Sequence, residues 1–461
     1  MGIRPTGVLL LLWLFVGCCE SETGHFWHVT DMHWDPTYNE TNAALSCNPG
    51  TPAHGPFGKF GIFSCDPPWL LLESAFDFMK HHGIKVDFVM WTGDDTPHIW
   101  DDKVLNMEWV HEIIAAQTEL IKETFPNVTV FSAMGNHDWS PKNELPPRSD
   151  HFYNQVYNLW EAWIPDDGEE TFKHGAFYSA PINDDLEMVV LNTNLYYDSN
   201  SQTKNMYDPA NQLQWFDDVM TGIEQDGRKA MVMAHVPPGM FEKHANKSWF
   251  YPDYNEAFLR FAKKHAGAIG SIHMAHHHTD SFRLLYGDND QPLLPIFLAP
   301  ALSPWETTLP GVMGGKGNNP SLRLVEYERE TGSIVNINQY WSNLTLANLQ
   351  GTAKWVLEYA ATDYYGIENM DGNSLEALVQ SMKLDRDLFD KYYSANGVQF
   401  DPNEEWDADT QNVHICAIQN LHYADFALCM QEANRAGSHD PSALVFLSAV
   451  LLSAFSLSYI T

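Results

Sequence analysis

The chain has 461 residues, 44% of them hydrophobic, which is enough for one large domain and a smaller second unit. Its 60 acidic residues against 26 basic ones give a formal net charge of −34. Because phosphate backbones repel such a surface, the composition excludes a nucleic-acid polymer as a partner. A small anionic substrate would need a local positive centre, which bound cations supply.

Hydrophobic periodicity predicts an alternation of strands and helices. The predicted strands are 24–29, 86–91, 128–134, 186–194, 229–234 and 268–273, and the predicted helices are 69–82, 109–125, 211–224 and 256–265. This βαβ order is typical of a mostly parallel sheet covered by helices. The stretch 48–68 is too rich in Pro and Gly to be a core element and is expected to form a loop. Apolar runs on either side of Gly332 predict a hairpin, and from Lys354 onward the pattern is helical.

Targeting signals are predicted at both ends of the chain. Arg4 precedes a short apolar run and small residues, so residues 1–19 indicate a secretory signal peptide, with a membrane anchor as the alternative. Small residues followed by an apolar tail make 437–461 a predicted GPI-attachment signal, with a retained tail anchor as the alternative. We therefore expect a secreted protein tethered to the extracellular face of the membrane by a lipid anchor.

Four cysteines follow the predicted signal peptide, an even number that suits an oxidising compartment. Nearest-neighbour pairing predicts the disulfides Cys47–Cys65 and Cys416–Cys429, although two other pairings are possible. A zinc–thiolate site is the alternative, but the chain lacks the Cys-x-x-Cys motif that would favour it. Sequons for N-glycosylation, which also favour secretion, occur at Asn39, Asn127, Asn246 and Asn343.

Polar side chains follow five of the predicted strands. The segments are Asp31-Met32-His33, Gly93-Asp94, Gly135-Asn136-His137-Asp138, His235 and His276-His277-His278. The carboxyl ends of parallel strands meet at one edge of a sheet, so these side chains are expected to converge. Asp31 and His33 are two positions apart, as are His276 and His278, so the side chains of each pair would face the same side of an extended chain. Nitrogen and oxygen ligands without thiolates suit zinc, with manganese or iron as alternatives.

These blocks, in this order, resemble those of the calcineurin-like metallophosphoesterases. The segments 91–98 and 234–239 are similar to the acid sphingomyelinase branch of that family, and the similarity runs from about Phe26 to Cys429. The resemblance implies an α/β fold, a four-layer α/β/β/α sandwich over residues 24–349. It also implies a small helical C-terminal subdomain over residues 350–432.

The resemblance also implies a ligand set for two metal ions, usually zinc. One metal would take Asp31, His33 and His278, the other would take Asn136, His235 and His276, and Asp94 would bridge them. His98 and His137 would lie beside the scissile phosphate, with His98 as the general acid and His137 as a phosphate stabiliser. The substrate would be a small phosphodiester or a phospholipid headgroup, hydrolysed by a monomer.

One position departs from the family pattern. The family usually has glycine before the first histidine of the last block, whereas this chain has Ala275. If that position needs a positive φ or the absence of a Cβ, alanine would strain the loop by roughly 1 kcal/mol. Two other functions therefore stay open, a surface binding module that holds metal with weak activity, and a phosphomonoesterase. We expect Asp138 to orient the His137 side chain or a loop, and His277 not to be a ligand.

Overall fold

The structure is a computed structural model that describes residues 23–41, 45, 47, 57–99, 104–307, 309, 311–313, 316–401 and 405–437. The predicted signal peptide at 1–19 and the predicted tail beyond Gly437 lie outside the described residues. Among the helices within these ranges, none is both long and apolar enough to cross a membrane. The fold is mixed α/β, as predicted, with two six-stranded sheets flanked by helices.

The two sheets are built from twelve strands, and two further short strands form a separate ribbon. The strands are β1 (Thr23–Val29), β2 (Phe88–Trp91), β3 (Thr129–Ser132), β4 (Tyr178–Pro181), β5 (Leu186–Val190), β6 (Lys229–Met233), β7 (Ile269–Met274), β8 (Ser281–Tyr286), β9 (Pro292–Leu298), β10 (Trp305–Glu306), β11 (Gly317–Asn318), β12 (Ser321–Glu328), β13 (Ile334–Trp341) and β14 (Val356–Ala360).

Each sheet is parallel in one part and antiparallel in another. The first has the order β14-β13-β12-β1-β2-β3, and only β1, β2 and β3 run parallel. The second has the order β4-β5-β6-β7-β9-β8, and β5, β6, β7 and β9 run parallel. Two sheets flanked by helices agree with the predicted α/β/β/α sandwich, although parallel strands make up only part of each sheet.

The helices surround these sheets, and several begin at an Asp or Asn that caps the first turn. They are α1 (Trp69–His81), α2 (Met107–Thr124), α3 (His151–Trp160), α4 (Glu169–Gly175), α5 (Gln212–Gln225), α6 (Pro252–Lys264), α7 (Leu344–Gln350), α8 (Ala361–Tyr365), α9 (Gly372–Met382), α10 (Arg386–Asn396), α11 (Ala408–Gln419) and α12 (Tyr423–Gly437). Asn106 before α2 and Asp150 before α3 each accept a hydrogen bond from a backbone amide of the helix that follows.

One hydrophobic core joins the two sheets and the helices. Helix α1 buries Leu72, Ala75, Phe76 and Met79, which are the residues whose helical spacing predicted it. Phe26 of β1 packs edge-on against the His273 ring of β7, with the ring centroids 5.4 Å apart. The sheets are thus held against each other, and their parallel strands end close together.

Both predicted disulfides, Cys47–Cys65 and Cys416–Cys429, are present. The sequon residues Asn39, Asn127 and Asn246 are exposed, as glycan acceptors need to be. Asn343 is half-buried and caps α7 by accepting a hydrogen bond from the amide of Leu346.

Two expectations about the irregular and helical regions are corrected. The pattern from Lys354 onward was expected to be helical, but residues 356–360 form β14, which pairs with β13. Its first residues are exposed, so the strand has no alternating apolar signal. The Pro/Gly-rich stretch before α1 was expected to stay outside the core, yet Phe60, Cys65 and Asp66 at its end are buried.

Candidate active site

The structure gathers all seven predicted ligands into one cleft, where the parallel strands of the two sheets end. Asp31 and His33 follow β1, Asp94 follows β2, and Asn136 follows β3. From the second sheet, His235 follows β6, and two further histidines, His276 and His278, follow β7. All seven lie at the carboxyl ends of parallel strands, as the sequence predicted.

The first group of ligand atoms comes from His33, His278 and two carboxylates. The Nε2 atoms of His33 and His278 lie 3.2 Å apart. Asp31 Oδ1 is 3.3 Å from His278 Nε2, and Asp94 Oδ2 is 3.6 Å from His33 Nε2. His33 donates its Nδ1–H to the carbonyl of Thr96 at 2.7 Å, so its Nε2 lone pair is left for a ligand.

The second group shares the Asp94 carboxylate with the first. Asp94 Oδ2 lies 3.1 Å from His235 Nε2, which is also 3.0 Å from Asn136 Oδ1. His235 donates its Nδ1–H to the carbonyl of Thr92 at 2.8 Å, the same arrangement as in the first group. His276 completes the group, since its ligand atom and those of Asp94 and His235 lie within 4.8 Å of one another.

The backbone reaches this geometry through left-handed conformations. Asp31, His33, Asp94, His276 and His278 all have positive φ, between 42° and 71°. For residues other than glycine such conformations cost about 1–3 kcal/mol each, and they cluster at functional sites. The expectation that the i, i+2 pairs converge because the chain is extended is therefore wrong, although the pairs do converge.

Glycines allow two strand ends to approach closely. Gly93 has φ +81°, and a Cβ there would lie 2.2 Å from the backbone nitrogen of Gly135. A Cβ on Gly135 would lie 2.1 Å from Asp94 Oδ1. Any side chain at either position would push apart the loops that carry Asp94 and Asn136, so both positions require glycine.

The carboxylates make the cleft attract positive charge. Burial acts to lower the pKa of His33, but its hydrogen bond with Asp31 and the charge of Asp94 raise it to about 9. Burial also acts to lower the pKa of His235, and the charge of Asp94 raises it to about 9. Burial acts to raise the pKa of Asp94, but the charges of His235 and His137 hold it below its usual value. Protons or metal cations must balance these buried carboxylates.

The ligand atoms fit divalent cations. Asp31 Oδ1 and His276 Nε2 are buried and have no hydrogen-bond partner among the residues that the structure describes. A cation would satisfy such orphaned lone pairs, and the carboxylate, imidazole and amide donors are those that zinc accepts. His33, His98 and His137 also form a group within 4.8 Å, but it contains no carboxylate to balance a cation's charge.

His98 and His137 lie at the mouth of the cleft, beside the ligands. The His98 ring is 4.0 Å from the ring of His33 and stacks at 4.0 Å on Trp305, and it is 4.4 Å from the His137 ring. Asp66 accepts hydrogen bonds from the His98 backbone amide and from His98 Nδ1, the latter at 2.9 Å. Burial, and then the charges of His33 and His137, lower the pKa of His98.

Asp66 is a site residue that the sequence analysis missed. It follows Cys65 and precedes Pro67, within the stretch that was interpreted as an irregular loop. The disulfide to Cys47 and the buried position of Asp66 fix the carboxylate that orients His98. The pairing joins residues 32 positions apart without a repeating pattern, so only the position of Asp66 after a predicted disulfide cysteine could have drawn attention to it.

Two neighbouring residues act on the loops rather than on a ligand site. Asp138 accepts hydrogen bonds from the backbone amides of Gly135, Asp94 and Asp95, at 2.7–3.0 Å. It thus orients the loops and not the His137 side chain. His277 Nδ1 contacts Glu242 at 2.8 Å, so its ring is engaged away from the ligand groups, as expected.

The alanine that departs from the family pattern is accommodated without strain. Ala275 is buried, and it is not among the residues with positive φ. Its backbone amide donates to the carbonyl of His235 at 2.9 Å. The left-handed residues of this loop are His276 and His278, one and three positions further on. The positive φ that would strain an alanine is therefore not required at position 275.

A cavity of about 240 Å³ opens above the ligands. Its lining includes His98, His137 and the ligands Asn136, His276 and His278. Aromatic rings and three lysines complete the wall, among them Tyr197, Trp249, Trp305, Lys142, Lys243 and Lys316. The cleft thus combines candidate metal ligands, two further histidines and positive charge.

Two family models match the chain. The model described as calcineurin-like phosphoesterase matches residues 24–280, and the model described as acid sphingomyelin phosphodiesterase C-terminal region matches residues 291–436. The chain belongs to the calcineurin-like phosphoesterases, within their acid sphingomyelinase-like branch.

Known relatives are similar over nearly the whole chain. Acid sphingomyelinase-like phosphodiesterase 3b of Homo sapiens is 40% identical over 91% of this chain and 94% of its own length. Cyclic GMP-AMP phosphodiesterase SMPDL3A of Homo sapiens is 37% identical over 89% of this chain and 90% of its own. Sphingomyelinase phosphodiesterase C of Dictyostelium discoideum is 33% identical over 89% and 93%. The resemblance and the fold class predicted from the sequence are confirmed.

Proposed function

We propose that this chain hydrolyses phosphodiesters in the cleft, with water as the nucleophile and two divalent cations as cofactors. The observation that carries the proposal is the position of Asp94, which belongs to both buried groups of ligand atoms. Those groups lie beside His98 and His137, in a cavity lined by lysines. A carboxylate shared by two cations beside potential proton donors suits phosphoryl transfer.

In this proposal the two cations are held as the resemblance implies. One is bound by Asp31, His33 and His278, the other by Asn136, His235 and His276, and Asp94 bridges them. Zinc suits these donors, with manganese or iron as alternatives. When bound, the pair of cations lowers the pKa of water and neutralises charge on the phosphate.

The protein's own part in the reaction is to place a proton at the leaving oxygen. Asp66 receives the Nδ1–H of His98 and Trp305 stacks on the ring, so His98 Nε2 has a fixed direction. The negative charge of a bound phosphate favours the protonated form of His98. His98 then gives its Nε2 proton to the leaving oxygen and becomes neutral. The His137 ring, whose centroid lies 4.4 Å from that of the His98 ring, contacts the phosphate.

The cavity favours a diester that carries further negative charge, as nucleotide-type substrates do. Lys142, Lys243 and Lys316 line it, in a chain with a net charge of −34. The positive charge of these lysines favours a second phosphate over the positive end of a phosphocholine headgroup. Relatives are named both for cyclic GMP-AMP and for sphingomyelin. We place nucleotide-type diesters first and phospholipid headgroups second.

The proposal also places the protein outside the cell, held at the membrane by a lipid anchor. It is supported by two disulfides and by three exposed sequon asparagines. Release of the full-length protein from cells by a phosphatidylinositol-specific phospholipase C tests the anchor. Protein that stays on the cells after this treatment would favour the retained tail anchor.

Hydrolysis of bis(p-nitrophenyl) phosphate by the full chain tests the proposed reaction. We expect turnover that a chelator abolishes and added zinc restores, with slower hydrolysis of the monoester p-nitrophenyl phosphate. Faster monoester hydrolysis would make the chain a phosphomonoesterase. A fully metallated sample without turnover of either ester would leave the surface binding module as the function.

The substrate class is tested with natural diesters under the same conditions. We expect a cyclic dinucleotide to be hydrolysed faster than sphingomyelin in vesicles. Replacement of Lys142 by Glu should lower kcat/KM for the dinucleotide more than for the neutral-headgroup lipid, because it removes the attraction for the second phosphate. The opposite order of substrates would place the lipid headgroup first.

A further inference from the structure

A buried polar cluster lies behind the metal-ligand loop. It consists of Glu242, His277, Thr279, Arg283 and Asn396, and we call it the Glu242 cluster. Each of the five is at most 6% exposed, and Glu242 and Arg283 are completely buried. A buried charged pair stabilises a fold no better than well-packed apolar residues do, so the cluster calls for an explanation beyond stability.

The carboxylate of Glu242 receives a donor on every side. Its Oε2 is 2.8 Å from His277 Nδ1 and 2.6 Å from the Arg283 guanidinium. Its Oε1 accepts from Thr279 Oγ1 and, at 3.2 Å, from Asn396 Nδ2. Positions 277 and 279 are the two neighbours of the ligand His278. Glu242 therefore grips the ligand loop on both sides of that ligand.

The loop that Glu242 holds, residues 276–280, has a strained backbone that needs support. His276 and His278 are both left-handed, with φ of 71° and 60°. Their side chains belong to different ligand groups, one with Asp94 and His235 and the other with Asp31 and His33. A loop that relaxed to an ordinary backbone conformation would turn both imidazoles away from their groups.

The C-terminal helical region holds the same loop through Asn396, the last residue of α10. Asn396 Nδ2 donates to the carbonyl of Asp280 at 2.9 Å, and the Asp280 amide donates to the Asn396 carbonyl at 3.0 Å. Asn396 thus connects α10 to Glu242 and to the end of the ligand loop at once. This contact spans the two matched family regions, because Asp280 is the last residue of the first and Asn396 lies in the second.

Glu242 itself is not placed to bind a cation or the substrate. Its four contacts occupy both oxygens, its side chain has no exposure, and it does not line the cavity. Its side chain can act on the candidate ligands through the loop that it holds.

We propose that Glu242 is a positioning residue, which with Asn396 holds loop 276–280 so that His276 and His278 face their cations. This inference rests on the proposed two-cation site. It makes the affinity for both cations depend on a carboxylate that touches neither of them, and on a helix outside the first matched region.

The test replaces Glu242 in the full-length protein and measures metal binding directly. In Glu242→Gln one of the two accepting oxygens becomes an NH2 group, which donates, so one pair of the four surrounding donors loses its acceptor and the loop loses part of its support. We expect zinc affinity, measured by competition with a chromophoric chelator, to fall about 10- to 100-fold. The visible absorption spectrum of the cobalt-substituted protein should change as well, because the geometry of the imidazole ligands changes.

Glu187→Gln is the matched control. Glu187 is also largely buried and pairs with an arginine, Arg228, at 2.7 Å, but it lies on β5 away from the loop. This variant should keep the parent's zinc affinity and cobalt spectrum even if its melting temperature falls. A loss of stability alone would therefore not be mistaken for a positioning role.

Asn396→Ala keeps the test decisive if Glu242→Gln does not fold. It leaves the Glu242–Arg283 pair intact and removes the side-chain hydrogen bonds from Asn396 to Glu242 and to the Asp280 carbonyl, so we expect an affinity loss of about tenfold. Parent-like zinc affinity and cobalt spectrum in either folded variant would overturn the positioning role. A parent protein that binds two zinc ions without turnover would overturn the proposed function only, and one that binds no metal would overturn both.

Discussion

The buried histidines of the cleft and those of the core differ in what their nitrogens face. In the cleft, His33 and His235 each donate Nδ1–H to a backbone carbonyl and turn Nε2 toward carboxylate oxygens. In the core, His273 contacts the Ser271 hydroxyl and stacks on Phe297, and among the described residues no carboxylate forms an ion pair with it. Burial alone therefore does not distinguish a candidate ligand from a packed ring, whereas a carbonyl on one nitrogen and a carboxylate near the other separate His33 and His235 from His273.

His33 and His235 also respond to protons in the opposite way to His273. Burial, together with the charge of Arg323, lowers the pKa of His273 to about 3. The nearby carboxylates overcome the same effect of burial at His33 and His235, and raise those pKa values to about 9. A site that holds positive charge so strongly is suited to cations, and a site that rejects it is suited to packing.

Removal of the Asp94 carboxylate, which both groups of ligand atoms share, should have the largest effect on turnover and metal content. Asp94→Ala should lower kcat by at least about 10³-fold, because several kcal/mol of charge stabilisation depend on the cation pair. Metal analysis should show fewer than two bound ions per chain. The measurement is turnover of bis(p-nitrophenyl) phosphate alongside metal content.

His273→Phe is the control for a buried residue outside the cleft. Its ring replaces one that packs between Phe26 and Phe297, so turnover and metal content should stay near those of the parent. If both variants lost metal equally, the distinction between ligand and core histidines drawn from their partners would be wrong.

Replacement of His98, at the mouth of the cleft, should lower turnover without lowering metal content. His98→Gln should lower kcat about 10²- to 10⁴-fold, the range of general-acid effects. Metal content should stay at the parent's value, because His98 is not in either carboxylate-containing group. Asp66→Asn should show a smaller loss in the same direction, about 10-fold or more, since it only orients the ring.

A substrate with a better leaving group checks this role. The loss in His98→Gln should shrink as the leaving alcohol becomes more acidic, because that oxygen needs less help from a proton donor. An equal loss across leaving groups, or a parallel loss of metal, would assign His98 to binding instead.

The convergence of the seven candidate ligands was predictable because each follows a predicted strand, and strand ends are recognised from apolar runs. The route by which they converge was not, since extended geometry was expected and Asp31, His33, His276 and His278 are left-handed. Asp66 and Glu242 were missed for another reason. Their partners come from distant parts of the chain, and no periodic pattern marks a buried carboxylate that holds a loop or a ring.

Acid should destabilise the protein through the core histidines. The folded pKa of His273 is about 3, below the 6.5 of an unperturbed histidine. The unfolded chain therefore binds a proton first as the pH falls below 6.5, and the stability present above that pH is lost progressively toward acid. At pH 5 the loss is about 2 kcal/mol for this one group.

Urea unfolding of the parent and of His273→Phe at pH 7 and pH 5 measures this effect. The parent should lose about 2 kcal/mol more than the variant between the two values. Because both proteins carry the same cleft, titration of its ligands cancels in the difference. Equal losses would show that His273 takes up its proton in the folded state.

The smallest effect is expected for Ala275→Gly, which restores the residue usual in the family. Ala275 is buried with an ordinary backbone conformation, and its amide already donates to His235. Glycine would relieve no strain and would add freedom to the unfolded chain, at a cost of about 0.4–1 kcal/mol. We expect unchanged metal content, turnover within about threefold of the parent and a slightly lower melting temperature. A large rise in turnover would instead show that alanine holds the cleft in a weakly active state. The surface binding module would then become the better account of the chain, since its ligands would be intact and only its turnover impaired.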